Sequence, residues 1–187
     1  MNVRKIPIKD FHKLNYIEYR QYVTIGKAMA PNSNGMADVM QWKFGVVKEI
    51  QRMFRSEINI DAMILICQMA MSQDYDVKEA GDINEWLWYD AFGLFNHIEN
   101  EIIKVLEIEK QLETEATPEQ SAAGIDQYHS FDYFATLDRL CGSGIFHGMN
   151  YKQVMDTPYE ICFLKMKLNK IDAEYQDNYI KIMSRRK

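Results

Sequence analysis

Proline and glycine are scarce and clustered: the 187 residues hold 4 Pro and 9 Gly, gathered between long stretches that neither interrupts. Such stretches suit helices and leave few places for the tight turns that hairpins need. The chain therefore reads as all-α, a multi-helix bundle forming a single domain over 1–187. It should contain one long central helix near 83–112 and a long C-terminal helix near 158–184. A joint near 114–118 would divide it into 1–113 and 118–187.

Local signals place the other elements. Asp10 is a candidate N-cap for a first helix that ends before Ala30-Pro31-Asn32-Ser33-Asn34-Gly35. From Met36 to Arg55, apolar residues recur at three- and four-residue steps, which predicts one helical face. Asp61 can cap the run Ala62-Met63-Ile64-Leu65-Ile66-Cys67, apolar all round, as in a helix covered on several sides. A buried strand is the rival reading of so short a run. Asp82 precedes the long central pattern, which has room to kink at Gly93 or to project its acidic far end as an arm. Thr117-Pro118-Glu119-Gln120 and Thr157-Pro158-Tyr159-Glu160 each resemble a capping box with a first-turn proline, and Asn150 can cap a short turn before the second.

Two apolar features bear on function. Trp86, Trp88, Tyr89, Phe92 and Phe95 cover more than one helix face, so part of this patch should meet a second surface, either a neighbouring helix or a partner. On the last helix, Ile161, Leu164, Leu168, Ile171, Tyr175, Tyr179 and Ile182 are spaced 3, 4, 3, 4, 4 and 3, close to a heptad seam. Packing on the chain's own core is the first expectation for this seam, and a partner-facing surface is the second. Arg185 and Arg186 follow it, where cations favour the negative end of the helix dipole.

Known chemical signatures are missing. His12, His97, His129 and His147 are mutually isolated, and Asp126 with His129 is the nearest approach to a metal pair, so no metal or other cofactor is expected. Phosphate-cradling glycine loops do not occur, and Gly142-Ser143-Gly144 reads as a turn. Cys67, Cys141 and Cys162 are distant in sequence and set among apolar residues, which argues against a disulfide framework and against a catalytic thiol. With Lys+Arg 22 against Asp+Glu 27, the net charge of −5 argues against a broad nucleic-acid footprint. Neither a signal-peptide core nor an apolar run of membrane-spanning length is present.

Leu140-Cys141-Gly142-Ser143-Gly144, then Tyr151-Lys152-Gln153-Val154-Met155-Asp156-Thr157-Pro158-Tyr159-Glu160 and a Lys- and Tyr-bearing helix, resembles the end of tail assembly chaperones of tailed bacteriophages. About 45 residues carry the likeness. The chain lacks the Asp that often follows the glycines, and Asp156-Thr157 separates Met155 from Pro158. The resemblance implies a non-enzymatic helical morphogenesis protein that binds the tape measure protein or tail components through apolar surfaces. It would act in the host cytoplasm during assembly, or in the virion, as a homo- or hetero-oligomer. A neck or adaptor ring subunit is the alternative, and a small helical enzyme or ligand-binding protein the second. The residues expected at contacts are Trp86, Trp88, Tyr89, Tyr159, Phe163, Tyr175, Tyr179, Arg185 and Arg186. On that expectation, Trp88→Ala should weaken partner capture and leave helicity intact.

Overall fold

The computed structural model describes residues 5–79, 81–113, 116–125, 127, 131, 133–142 and 144–185. The side chains of Asp82, Glu119 and Gln120, and with them the cap and box expected there, lie outside the described residues, as do Asp126, His129, Ser143 and Arg186. The fold is all-α, with eight α-helices and no strand among the described residues. In chain order these are α1 (Tyr16–Lys27), α2 (Phe44–Met53), α3 (Ile60–Ser72), α4 (Trp88–Lys110), α5 (Pro118–Ala122), α6 (Tyr133–Cys141), α7 (Tyr151–Met155) and α8 (Tyr159–Ser184).

Helix starts follow local chemistry, though not always at the expected residue. Asn15, not Asp10, opens α1: its side chain accepts from the Glu18 amide at 3.0 Å while Glu18 reaches back, and Ile8–Lys13 forms a separate 3-10 turn. Asn59 caps α3 at 2.8 Å from the Ala62 amide, taking the role expected of Asp61. The apolar run behind it is a helix and not a strand, with Met63, Ile64, Ile66, Cys67, Met69 and Ala70 buried. Asn150 caps α7, as its sequence predicts, and Gln153 reaches back to complete a capping box not expected there.

Among the described α-helix starts, those of α2, α4 and α8 have no side-chain cap, and two backbone bridges explain them. Lys43, Leu87 and Pro158 precede α2, α4 and α8 in extended geometry. Lys43 pairs antiparallel with Pro158, and Leu87 with Pro7. The bonds come from flanking residues: the Phe44 amide donates to Thr157 O at 2.8 Å and the Tyr159 amide to Trp42 O at 2.7 Å. Likewise the Ile8 amide donates to Trp86 O at 2.8 Å and the Trp88 amide to Ile6 O at 3.0 Å. Each proline thus occupies the position in its bridge where no N–H is needed.

These bridges shorten two expected helices. The pattern over 36–55 breaks at Trp42-Lys43, leaving a 3-10 turn at Val39–Gln41 and α2. The central helix starts at Trp88 rather than 83, after a 3-10 segment Gly81–Glu85. At the other bridge, the Thr157 hydroxyl donates to Gln153 O at 3.0 Å, so the capping box expected at Thr157 and Glu160 does not form.

One buried cluster runs from Ile8 through α2, α3 and α4 to Leu137, Leu140, Val154, Tyr159 and Cys162, drawing residues from both sides of 114–118. Phe92 lies so close to α1 that a Cβ on Gly26 would sit 2.5 Å from its ring. The far end of α4 is packed and does not form an arm, since Glu101, Ile102 and Val105 are buried there. The arm of this molecule is α8.

Candidate protein-interaction site

The root of α8 is fixed by both its backbone and its side chains. Beyond the bridge, Tyr159 is fully buried and its ring stacks on Phe44 at 6.1 Å between centroids, with 13° between planes. Its hydroxyl donates to Glu109, which also takes the Lys48 ammonium and, at 3.0 Å, the Gln51 amide. The ammonium lies 5.7 Å from the Phe44 ring centroid and 5.9 Å from that of Tyr159, within cation–π range. This cluster joins α2, α4 and α8 at the edge of a cleft of 340 Å³. Lys43 adds a 3.0 Å ion pair with Asp156, and Gln41 a 3.0 Å bond to Glu160.

Past this root, α8 leaves the body. Lys170 donates to Gln111 O at 2.7 Å, and from Ile171 to Arg185 every residue is exposed. The 26 residues of α8 span about 39 Å at 1.5 Å per residue, and Ala173, Glu174 and Asp177 still line a cleft with Leu112, Thr117 and Arg139, so the turns beyond Asp177 are the part that projects.

Orientation decides what the heptad seam can do. The body covers Tyr159, Cys162, Phe163 and Met166, and the seam lies on the opposite side. Leu164 is 55% exposed, Leu168 53%, Ile171 53% and Tyr175 60%, with Ile161, Tyr179 and Ile182 exposed too. The seam therefore does not pack on the chain's own core, contrary to the first expectation for it. The stripe is thus apolar, regularly spaced and open to solvent along its length.

The aromatic patch has the opposite fate. Trp88 is 2% exposed, and its ring meets Tyr22 at 5.1 Å, Tyr89 at 6.1 Å and Phe92 at 6.2 Å. Phe11 packs on Tyr22 and Phe92 from the N-terminal 3-10 turn. Trp86 and Tyr89 are half-buried against the same cluster, so this patch is core and its second surface is α1 with the segment before it. Tyr159 is likewise core, and half-buried Phe163 stacks on it at 6.2 Å. Of the nine residues expected at contacts, Tyr175, Tyr179 and Arg185 stand in the open, while Arg186 lies outside the described residues. Leu164, Leu168 and Ile171 belong with them. Their seam spacing was the signal for it.

Burial also sets the titration behaviour of the root. Desolvation, with Glu109 beside it, pushes the Tyr159 hydroxyl well above its ordinary value. Desolvation raises the Cys162 thiol to about 12. Both groups hold their protons more tightly when folded, so their contribution is complete below the unfolded values near 9 for a thiol and 10 for a phenol and is lost as pH rises beyond them. Urea titrations should show stability falling above pH 10 by about 1.4 kcal/mol per pH unit for each such group, and Tyr159→Phe should make that decline shallower.

Fold and site together define an all-α bundle with a laterally exposed, apolar-striped terminal helix. Among the described residues, no three His, Cys, Asp or Glu side chains gather where they could hold a metal ion, and no helix is long and apolar enough to cross a membrane. No protein-family model matches the chain, and neither a curated protein nor a solved structure matches it.

Proposed function

We propose that this chain is a non-enzymatic assembly protein of a tailed bacteriophage, similar to tail assembly chaperones, working through protein contacts made by α8. One observation carries the reading: the seam from Ile161 to Ile182 is apolar, regularly spaced and turned away from the body that anchors it. A helix that served only its own fold would turn that stripe inward. The partial likeness of residues 140–160 to the chaperones' C-terminal region supplies the phage context, and with it a place of action in the host cytoplasm or the particle.

Leu168→Asp tests the reading, because it puts a charge in the middle of the seam without touching a buried residue. Thermal unfolding of the body should shift by no more than about 0.5 kcal/mol, as for an exposed substitution. Association with tail intermediates, followed by mass spectrometry of purified assembly complexes and finished virions, should be lost. An unaltered association would overturn the assignment. Wild-type protein present in finished virions at fixed stoichiometry would identify a neck or adaptor subunit, and its loss on maturation a chaperone.

A further inference from the structure

The charges flanking the seam select an occupant. With Ile161, Leu168, Tyr175 and Ile182 as one set of core positions and Leu164, Ile171 and Asn178 as the other, Glu160, Lys167, Glu174 and Lys181 line one edge. Lys165, Asp172 and Tyr179 line the other. We infer that α8 pairs antiparallel with α8 of a second copy of this chain, in the register that places Leu168 of one against Ile171 of the other. This deepens the preceding proposal and rests on its assignment of the seam as a contact surface.

In that register Leu164 also meets Tyr175, and Ile161 meets Asn178, with each layer occurring twice by the two-fold symmetry. The edges then fall into place. Lys167 faces Glu174, Glu160 faces Lys181 and Lys165 faces Asp172, each also twice, and no like charges meet. Shifting the pairing by a heptad in one direction sets Lys167 against Lys181, with Glu174 against Glu174 and Asp172 against Asp172. The opposite shift sets Glu160 against Glu174, with Lys167 against Lys167 and Lys165 against Lys165. A parallel in-register pair keeps Glu160 with Lys165 and Lys167 with Asp172, but it opposes Lys181 to Arg186 and brings both basic ends together. Charge therefore specifies orientation as well as register, as edge residues do in coiled coils.

Helix energetics favour the same outcome. Beyond Lys170, α8 has about four turns of exposed residues, and they include Asn178, two tyrosines and three β-branched isoleucines at 171, 180 and 182. An isolated segment of that length is marginal in water, so a packed partner is what would hold it helical. The body covers the side of α8 away from the seam and touches its edges only near the root, where Glu160 meets Gln41 and Lys165 lies against Gly144.

Sedimentation of the full chain, against its monomer mass of 22.0 kDa, reads the pairing directly. The expected result is a dimer at about 10 μM, with Lys167→Glu and Glu174→Lys each weakening it about tenfold or more, since each variant converts two attractive contacts into repulsive ones. Combining both changes should restore the dimer to within about threefold. In a Cys141→Ser background, mixed Leu168→Cys and Ile171→Cys chains should form a cross-linked heterodimer that neither forms with itself. A monomer at all concentrations up to about 100 μM, or a dimer indifferent to Lys167→Glu, would overturn the inference. Self-linking of Leu168→Cys would overturn it in favour of a parallel pair. A monomeric wild type whose Leu168→Asp form still leaves tail intermediates would sink the self-pairing alone. A charge-swappable dimer whose Leu168→Asp form stays with them would sink the assembly reading alone.

Discussion

Trp88→Ala should cost about 3–5 kcal/mol of folding stability, the range for emptying a large aromatic site in a packed core. The indole is covered by Tyr22, Tyr89 and Phe92 and sits at the first turn of α4, so its removal opens a cavity between α1 and the longest buried helix. Urea unfolding of the variant is the measurement. Any fall in partner association should track the unfolded fraction, not a weakened contact. That result would replace the sequence-based expectation that helicity survives while binding fails. Trp88→Phe should recover most of the loss, because a smaller ring keeps the contacts with Tyr22 and Phe92.

Glu109→Ala should be comparably severe, for a different reason. The Lys48 side chain retains only 11% of its exposure, and the Glu109 carboxylate is its charge partner as well as the acceptor for Tyr159 and Gln51. Removing the carboxylate leaves a largely buried ammonium uncompensated and a phenol without its acceptor, a defect of about 3–5 kcal/mol. The loss should appear in denaturant unfolding, and amide exchange should accelerate first in residues 159–170, where the cluster holds α8 to the body. Replacing the charges and the phenol together, as in Lys48→Met with Glu109→Leu and Tyr159→Phe, should restore much of the stability, since apolar side chains leave neither an unpaired charge nor an unpaired hydroxyl buried. If Glu109→Ala is nearly silent, the cluster does not anchor the helix.

Much of this architecture was legible because helical periodicity is local. The sparse breakers, the Asn150 cap and the apolar run after Asn59 each depend on residues within one or two turns, and each lies in or beside a helix, although the run alone left a strand open as its rival. The bridges were not legible, because a pairing such as Lys43 with Pro158 joins residues more than a hundred positions apart. A trace of them does exist. Trp42 with Phe44, and Trp86 with Trp88, are aromatic at a spacing of two, the period of extended backbone, just before a helical pattern begins.

The candidate site was half legible for a related reason. Spacing reveals that Leu164, Leu168, Ile171 and Tyr175 share a stripe, but a stripe facing inward and one facing outward have the same period. What decides between them is the anchoring of the opposite side by Tyr159 and Cys162, which depends on tertiary partners such as Phe44 and Val154. The aromatic patch failed the other way. Composition resembling a binding hot spot also describes a core, and the cover supplied by Phe11 and Tyr22 comes from a distant segment.

The bridge at the root of α8 gives the molecule a mechanical character. Two backbone hydrogen bonds on either side of Lys43 and Pro158 tie the start of α8 to the start of α2. A pull along the projecting helix therefore reaches α2 at its first residue and bypasses the loop between α6 and α7. The helix is in effect a lever that pivots no nearer its root than Lys170, the residue bonded to Gln111, with a short arm that ends at Tyr159 against Phe44.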